Sequence, residues 1–133
     1  MNIGSVIYSM VAANANLVTL IGTRIYPEEA PMEVTYPYIT YTKVNTNPTR
    51  VKNLISPKDE FKINFFIYSK NYDTTNTVAD ALRVALDNKR GTYANAKVDW
   101  VVFEDETTGD PIMEDKIYWM VQDYLFKINN IWK

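Results

Sequence analysis

The side chains that could carry acid–base chemistry in this chain are carboxylates, because the sequence contains neither histidine nor cysteine. Their absence excludes imidazole bases, His-dependent triads, thiolate catalysis, disulfides and the common zinc sites. Acids occur as sequence neighbours, but neighbours on a strand point to opposite faces, so adjacency alone does not pair two carboxylates. We therefore predict that the three adjacent pairs are surface acids: Glu28-Glu29, Asp59-Glu60 and Glu114-Asp115.

Other catalytic and ligand-binding patterns are equally weak. The acids between Glu104 and Asp110 could hold a hard cation, but they lack the spacing of an EF-hand loop. The four glycines are scattered singly, so no phosphate-binding loop is present. The serines have no Gly-x-Ser-x-Gly context and no histidine partner. We predict a protein that is not an enzyme and that needs no cofactor or metal.

Length and composition predict one globular domain over residues 1–133. The chain is 47% hydrophobic and 14% aromatic, which is enough to bury a core, and 23% charged. It has no apolar run long enough to span a membrane. The start of the chain lacks the basic and apolar regions of a secretion signal, so we expect synthesis in the cytoplasm.

Charge is distributed unevenly along the chain, although the net charge is only −2. The stretch from Lys43 to Lys58 is basic, and the stretch from Glu104 to Asp115 is acidic. A pI of about 5.1 argues against a nucleic-acid-binding module. We expect instead that one copy's basic loop meets the next copy's acidic turn, head to tail. The candidate interface residues are Arg50, Lys52, Lys58, Glu104, Asp105, Glu106 and Asp110.

Apolar spacing predicts two helices. The first extends from Asn2 to about Asn14, with one apolar stripe. The second begins at an Asp73 or Thr74 N-cap and ends near Asn88 or Lys89. Gly22 is expected to adopt a left-handed backbone at the end of a short apolar turn.

Four strands are predicted by alternation and β-branched or aromatic content: 36–44, 60–69, 98–104 and 116–128. Residues 45–58 are expected to form a long basic loop, and residues 104–115 an acidic turn. The resulting order is α-β-β-α-β-β, which favours an α+β two-layer sandwich: a mainly antiparallel four-stranded sheet with both helices on one face.

The uncovered face of such a sheet would carry aromatic side chains. The alternatives are that these rings complete the edges of the core, or that they form a protein-binding surface, where Tyr and Trp are enriched. We expect that face to carry some of the following residues: Tyr38, Phe66, Tyr68, Trp100, Tyr118 and Tyr124.

The ordered set of segments resembles the tail-completion, or tail-terminator, proteins of long-tailed bacteriophages. The matching pieces are the N-terminal helix, residues 20–27, Ala30-Pro31, the strands at 36–41 and 61–69, the helix around residues 78–82, and residues 103–108. The basic loop departs from the pattern, because it is longer and more charged than expected. The motif positions are Arg24, Tyr26, Pro27, Pro31, Pro37, Tyr38 and Tyr41, and for Arg24, Tyr26 and Tyr41 we favour bracing of the proline-rich crossover over direct contact with a partner.

The resemblance implies a structural virion protein located in the tail–neck region. Proteins of this kind form a ring, usually of six subunits, that caps the head-proximal end of the tail tube. The ring ends tube polymerisation and docks on the head connector or stopper, and genomic DNA passes through its lumen without sequence-specific binding. Polar or acidic residues are expected to line that lumen.

Two alternatives remain open at this point. One is another neck component, a connector adaptor or stopper, which shares small size and ring symmetry. The other is a small carboxylate-dependent hydrolase, for which the sequence offers no motif.

Overall fold

A computed structural model describes residues 3–48, 58–94, 96–112 and 116–129. Within these ranges the chain forms three helices and six strands. The helices are α1 (Ile3–Ala12), α2 (Ala15–Ile21) and α3 (Tyr72–Leu86). The strands are β1 (Ile25–Pro27), β2 (Tyr38–Pro48), β3 (Lys58–Ser69), β4 (Gly91–Tyr93), β5 (Ala96–Thr108) and β6 (Tyr118–Asn129).

The predicted four-stranded sheet with two helices is wrong. The strands form one mixed sheet in the order β1-β2-β3-β6-β5-β4, in which β1 runs parallel to β2 and the other pairs are antiparallel. The strands that the prediction missed, β1 and β4, have three residues each and lie at the two edges. So short a strand shows no alternation in sequence, and Pro27 is tolerated because an edge strand needs no ladder donor on its outer side.

The N-terminal apolar stripe forms two helices. In α1 the buried residues recur with helical spacing, and α2 then buries Leu17 and Ile21. Asn14 separates the helices and caps the second, because its Oδ1 accepts a hydrogen bond of 2.9 Å from the Leu17 N–H. Gly22 ends α2 with a φ of 59°, as predicted from its position after the apolar turn.

The core lies between the three helices and one face of the sheet. The β3 residues predicted to face the helices are fully or nearly fully buried, and those of β6 opposite them are buried as well. The rings of Phe65 and Tyr124 meet edge to face, with centroids 5.4 Å apart. The prediction of this core face from alternation is confirmed: Phe61, Ile63, Phe65 and Ile67.

Helix α3 starts and ends earlier than the sequence suggested. Its N-cap is Asn71, whose Oδ1 accepts from the Asp73 and Thr74 N–H groups, so Asp73 and Thr74 lie in the first turn. The helix ends at Leu86, before Asn88, which has a φ of 61°. The Asn88 N–H donates to the Val101 carbonyl at 2.8 Å, so the chain leaves the helix to join β5.

Strands β2, β3 and β5 are longer than predicted, whereas β6 begins two residues later than predicted. Strand β2 continues through Asn47 and Pro48, and these residues pair with Glu60 and Asp59 of β3. The predicted loop is therefore strand up to Pro48, and residues 49–57 lie outside the described ranges. Likewise, β5 continues to Thr108, so the first part of the predicted acidic turn is a strand. Pairing with long neighbours overrides the low β propensity of Asn and Glu at these positions.

No single helix in the described ranges is long and apolar enough to cross a membrane. Helices α1 and α2 meet at an angle of 100°. Only when they are taken together do they have the length and apolar composition of a membrane span. One apolar face of each helix is buried in the core, whereas Tyr8 of α1 and Val18 of α2 are exposed.

Candidate subunit interface

One corner of the sheet presents an open, acidic strand edge. Strand β4 covers β5 only opposite residues 96–98. Further along β5, the segment after α3 supplies a hydrogen-bond acceptor to this edge, because Asp87 Oδ1 accepts from the outward-facing Phe103 N–H at 3.1 Å. From Glu104 to Thr108 no strand of the described ranges pairs with this edge, and the Glu106 N–H is bonded to Asp105 Oδ1 at 2.8 Å. We call residues Glu104–Thr108 the acidic edge.

The predicted acidic interface residues are thus brought together on a strand rather than in a turn. Asp105 faces Asp123 across the ladder, whereas Glu106 lies opposite Gln122. Glu106 Oε1 accepts a hydrogen bond of 2.8 Å from Gln122 Nε2. Glu104 sits at a register shift between Phe103 and Asp105 and is exposed. The remaining predicted residue, Asp110, follows the strand, and its carbonyl accepts from Trp119 Nε1 at 2.8 Å.

The opposite corner of the sheet presents a second open edge. Strand β1 covers β2 only opposite Ile39–Tyr41, and the Glu28 N–H extends this cover by donating to the Tyr41 carbonyl at 2.8 Å. From Lys43 to Pro48, no other part of the described chain pairs with the outer side of β2. Lys43 is exposed, with its Nζ 5.8 Å from the centroid of the Phe61 ring. We call residues Lys43–Pro48 the basic edge.

The predicted basic residues beyond Lys43 are only partly placed. Arg50 and Lys52 lie outside the described ranges. Lys58 begins β3, and its backbone pairs with Asn129 of β6. The structure therefore places the backbone of Lys58 at the same end of the sheet as the basic edge.

A cleft of about 790 Å³ lies between α1 and the edge formed by β1 and β2. Tyr8, with 49% of its surface exposed, contributes from the helix, and Tyr41 and Lys43 contribute from β2. Burial, followed by the nearby Glu28 carboxylate, raises the pKa of Tyr41. The cleft adjoins the basic edge.

The proline-rich crossover is held by Arg24. Its Nε donates to the Pro37 carbonyl at 2.9 Å, and its Nη2 donates to the Leu20 carbonyl at 3.2 Å. The guanidinium thus ties the end of α2 to the entry into β2, next to the cis peptide bond between Tyr36 and Pro37. Two other motif prolines, Pro27 and Pro31, are exposed.

Four tyrosines form a cluster on the face of the sheet that the helices leave uncovered. Tyr38 is at its centre: its ring stacks on Tyr68 at 4.9 Å and contacts Tyr36 at 5.1 Å and Tyr26 at 6.3 Å. Burial, followed by the neighbouring Tyr36 and Tyr68 hydroxyls, raises the pKa of Tyr38 to about 12. Lys70 Nζ lies 5.0 Å from the Tyr36 centroid, at the rim. We call Tyr26, Tyr36, Tyr38 and Tyr68 the tyrosine cluster.

Two of the six aromatic candidates for the uncovered face lie on the helix side instead. Tyr124 is fully buried on the helix side, where its hydroxyl donates to Gln122 Oε1 at 2.7 Å. Tyr118 also points to the helix side and contacts Tyr72 of α3 at 6.1 Å. Alternation along β6 separates both from Trp119, which occupies the uncovered face opposite Tyr68.

The sequence analysis missed a polar centre on the same face. Asn64 and Asp123 are opposite each other on β3 and β6, and Asp105 of β5 lies on the other side of Asp123. Burial, followed by the charge of Asp105, raises the pKa of Asp123, while Lys62 opposes the shift. Within the described ranges, no group of three or more acids is placed to hold a metal ion. In the sequence, the sign of this centre was a set of polar residues at alternate positions of otherwise apolar strands.

Comparison with known proteins identifies the family. The family model of tail completion protein gp17 matches residues 5–128. A chain from the solved virion of a native gene transfer agent particle has a similar fold, with a TM-score of 0.76, 14% identity, and coverage of 92% of this chain and 91% of that chain. A comparison with curated proteins found no match.

The family match agrees with the resemblance seen in the sequence, and it confirms a structural protein located in the tail–neck region of a virion. The match covers every helix and strand described above except the first two residues of α1 and the last residue of β6. This chain belongs to the family of tail completion protein gp17.

Proposed function

We propose that the protein assembles head to tail into a ring that caps the head-proximal end of the phage tail tube. The cap ends tube polymerisation and joins the tail to the head connector. The observation that carries the proposal is the placement of two open strand edges of opposite charge at opposite corners of one sheet, in a member of a tail completion family.

The two edges lie far apart on the domain. The acidic edge ends at Thr108, in the part of the sheet where β2 begins, and the basic edge ends at Pro48, in the part where β5 begins. One copy cannot bring them together, but two copies can. A contact between two different surfaces repeats from copy to copy, and it closes into a ring when the rotation permits. By resemblance to the family, we propose six copies.

The partners are the tail tube protein on one side of the ring and the head connector or stopper on the other. The tyrosine cluster is a suitable contact for one of them. Tyr38 and its neighbours present large, half-buried rings with polar hydroxyls, and such residues are enriched at protein interfaces. Genomic DNA passes through the lumen without sequence-specific contacts.

A second candidate is another ring of the neck, a connector adaptor or stopper. The charged edges support a ring in either position, so they do not separate the two. The family match, which is to a tail completion protein, favours the tail side.

Electron microscopy of particles made without the gene tests the proposal. We expect overlong, unjoined tails beside filled heads, and restoration of normal particles by the wild-type gene supplied in trans. Leaking or empty heads with tails of normal length would instead support the head-side component. Normal infectious particles would contradict both assignments.

A further inference from the structure

We propose that the acidic edge of one copy pairs through its backbone with the basic edge of the next, so that one β-sheet continues around the ring. The inference rests on the proposed ring and names the contact that closes it. The occupant of each edge is thus a second copy of this chain.

Both edges carry backbone groups that need partners: on β2, Tyr41 turns its carbonyl outward to the Glu28 N–H, and Lys43, two residues on, faces the same way. The N–H and C=O groups of alternate residues face outward along an antiparallel edge. On β5, the Phe103 N–H faces outward to Asp87, and the Glu106 N–H is bonded only to the adjacent Asp105 side chain. Thr108 has the same alternation as Glu106, so its N–H also faces outward. The acidic edge is therefore a template for another strand.

The two edges match in length. The acidic edge has five residues and the basic edge six. At roughly 3.3 Å per residue, each spans about 17–20 Å, enough for a ladder of several hydrogen bonds. Pro48 at the end of the basic edge lacks an N–H, which suits a strand end rather than a central position.

The strand directions also match. Strand β2 is antiparallel to β3, β3 to β6, and β6 to β5, so β2 and β5 of one copy run in opposite directions. Rotation about a ring axis preserves strand direction relative to that axis. Strand β2 of the next copy therefore meets β5 in the antiparallel orientation, and the alternation continues without a break.

The offset between the edges matches the geometry of a closed barrel. The centre of the acidic edge, Glu106, lies in the same row of the ladder as Tyr41, whereas the centre of the basic edge lies near Thr46. Joining the edges shifts each copy by four rows of the ladder, since the register shift at Val44 adds no row, or about 13 Å for every four strands, which span about 19 Å. The strands then tilt by about 35°, at the lower end of the range of roughly 35–45° typical of barrels.

Charge restricts the pairing to the correct edge. Charged side chains on open edges oppose pairing between like edges, because two acidic or two basic edges repel each other. The acidic edge carries Glu104 and Glu106, and the basic edge carries Lys43, so the unlike pair attracts. A strand added to the basic edge would also adjoin the cleft beside α1, whose exposed Tyr8 would contact it.

Disulfide cross-linking tests the contact, because the chain has no cysteine of its own. Double variants combine Lys43→Cys or Val44→Cys with Thr107→Cys or Thr108→Cys, which lie opposite them when Glu106 meets Thr46, and each is supplied in trans to a gene-deleted phage. After mild oxidation of purified particles, we expect at least one combination to give a ladder from dimer to complete ring on non-reducing gels. A reductant should collapse the ladder to monomer. The control, Lys43→Cys with Thr92→Cys on β4, should give no ladder.

The outcomes separate this inference from the proposed function. If all four double variants restore particles but none forms a ladder, edge pairing is wrong and the ring stands. If the protein is absent from the head-proximal end of the tail, the proposed function itself is wrong, and the edge pairing that rests on it is wrong with it.

A second measurement uses Thr108→Pro, which removes the outward N–H, and Thr108→Val, which keeps it. We expect Thr108→Pro to lower incorporation into particles at least about tenfold, a loss of roughly 1.4 kcal/mol, while the Val variant behaves as wild type. A folded Thr108→Pro protein that is incorporated normally would overturn the inference.

Discussion

Asn64 and Asp123 lie directly opposite each other on the central strands β3 and β6, and each has a buried Oδ1 atom without a hydrogen-bond partner. Two buried acceptors on paired residues therefore receive no hydrogen bond from the described part of the chain. A buried acceptor without a donor costs roughly 1–3 kcal/mol, so this pair is a weak point in the isolated subunit.

We predict that Asp123→Asn stabilises the subunit and raises its Tm by a few degrees at neutral pH. The new amide can donate to Asn64 Oδ1, and the substitution removes the repulsion from Asp105. Asn64→Asp is the matched control, because it adds a third charge and should lower the Tm. Differential scanning calorimetry of the three proteins measures both effects, and an Asp123→Asn variant less stable than wild type would contradict the prediction.

The advantage of Asp123→Asn should depend on pH. Because burial and Asp105 raise the pKa of Asp123, the folded wild type binds more protons than the unfolded chain between the ordinary and the raised pKa. The free energy of unfolding of the wild type therefore falls as pH rises through this interval. The wild type is more stable below the interval, where Asp123 is protonated, than above it. We expect the Tm difference between variant and wild type to shrink from pH 7 towards pH 4. A constant difference would show that charge plays no part.

The buried network around Gln122 should be important for stability. Gln122 Nε2 donates to the Ala79 carbonyl at 3.0 Å and to Glu106, and its Oε1 accepts from the Tyr124 hydroxyl. Gln122→Leu removes these bonds and leaves the buried Tyr124 hydroxyl without a partner, and we expect a loss of about 2–4 kcal/mol in the free energy of unfolding. Tyr124→Phe removes one hydrogen bond and should cost about 1–2 kcal/mol.

Urea denaturation provides the measurement for this network. The control is Thr77→Val on the exposed side of α3, which should change stability by less than about 0.5 kcal/mol. Gln122→Leu with wild-type stability would mean that the network contributes nothing.

Tyr38 should titrate at unusually high pH. Its pKa is raised to about 12 by burial and by its tyrosine neighbours, so the folded state retains a proton that the unfolded chain loses near pH 10. This contribution to stability is complete below pH 10 and is lost as pH rises towards 12. Tyr38→Phe should make the alkaline loss of stability less steep. Ultraviolet titration at the tyrosinate band should show that the Tyr38→Phe variant lacks one tyrosine that ionises near pH 12 in the wild type. Loss of a tyrosine that ionises near pH 10 would contradict the assignment.

Gly109 should not tolerate a side chain. A Cβ at this position would lie inside contact distance of the Trp119 ring. The turn holds that ring in place, since the Gly109 N–H donates to the Trp119 carbonyl at 3.0 Å. We expect Gly109→Ala to lower the free energy of unfolding by roughly 1–3 kcal/mol, the range for overpacking. Near-ultraviolet circular dichroism of Trp119 provides a local readout, and an unchanged spectrum and Tm would contradict the prediction.

Sequence patterns predicted the parts of the fold that are regular and long. The alternation from Phe61 to Ile67 identified the core face, and the stripe of α1 identified the first helix. Strands β1 and β4 were missed because three residues carry no period, and their pairing is decided by tertiary contacts.

The candidate site was predictable in charge but not in geometry. The sequence shows acids from Glu104 onwards, yet it does not show that they continue a strand, since only pairing with β6 makes them one. The open edges depend on where β1 and β4 stop, which no local pattern specifies. The opposition of Asn64 and Asp123 follows from the β3–β6 register in the same way.

Cryo-electron microscopy of the head-proximal end of tails, purified with and without this gene product, shows directly whether the protein forms a terminal ring. We predict a rotationally symmetric ring that ends normal tails, is lost when the gene is deleted, and fits copies of this chain joined at their acidic and basic edges. A ring that persists without the gene, or copies of this chain found only on the heads, would contradict this prediction.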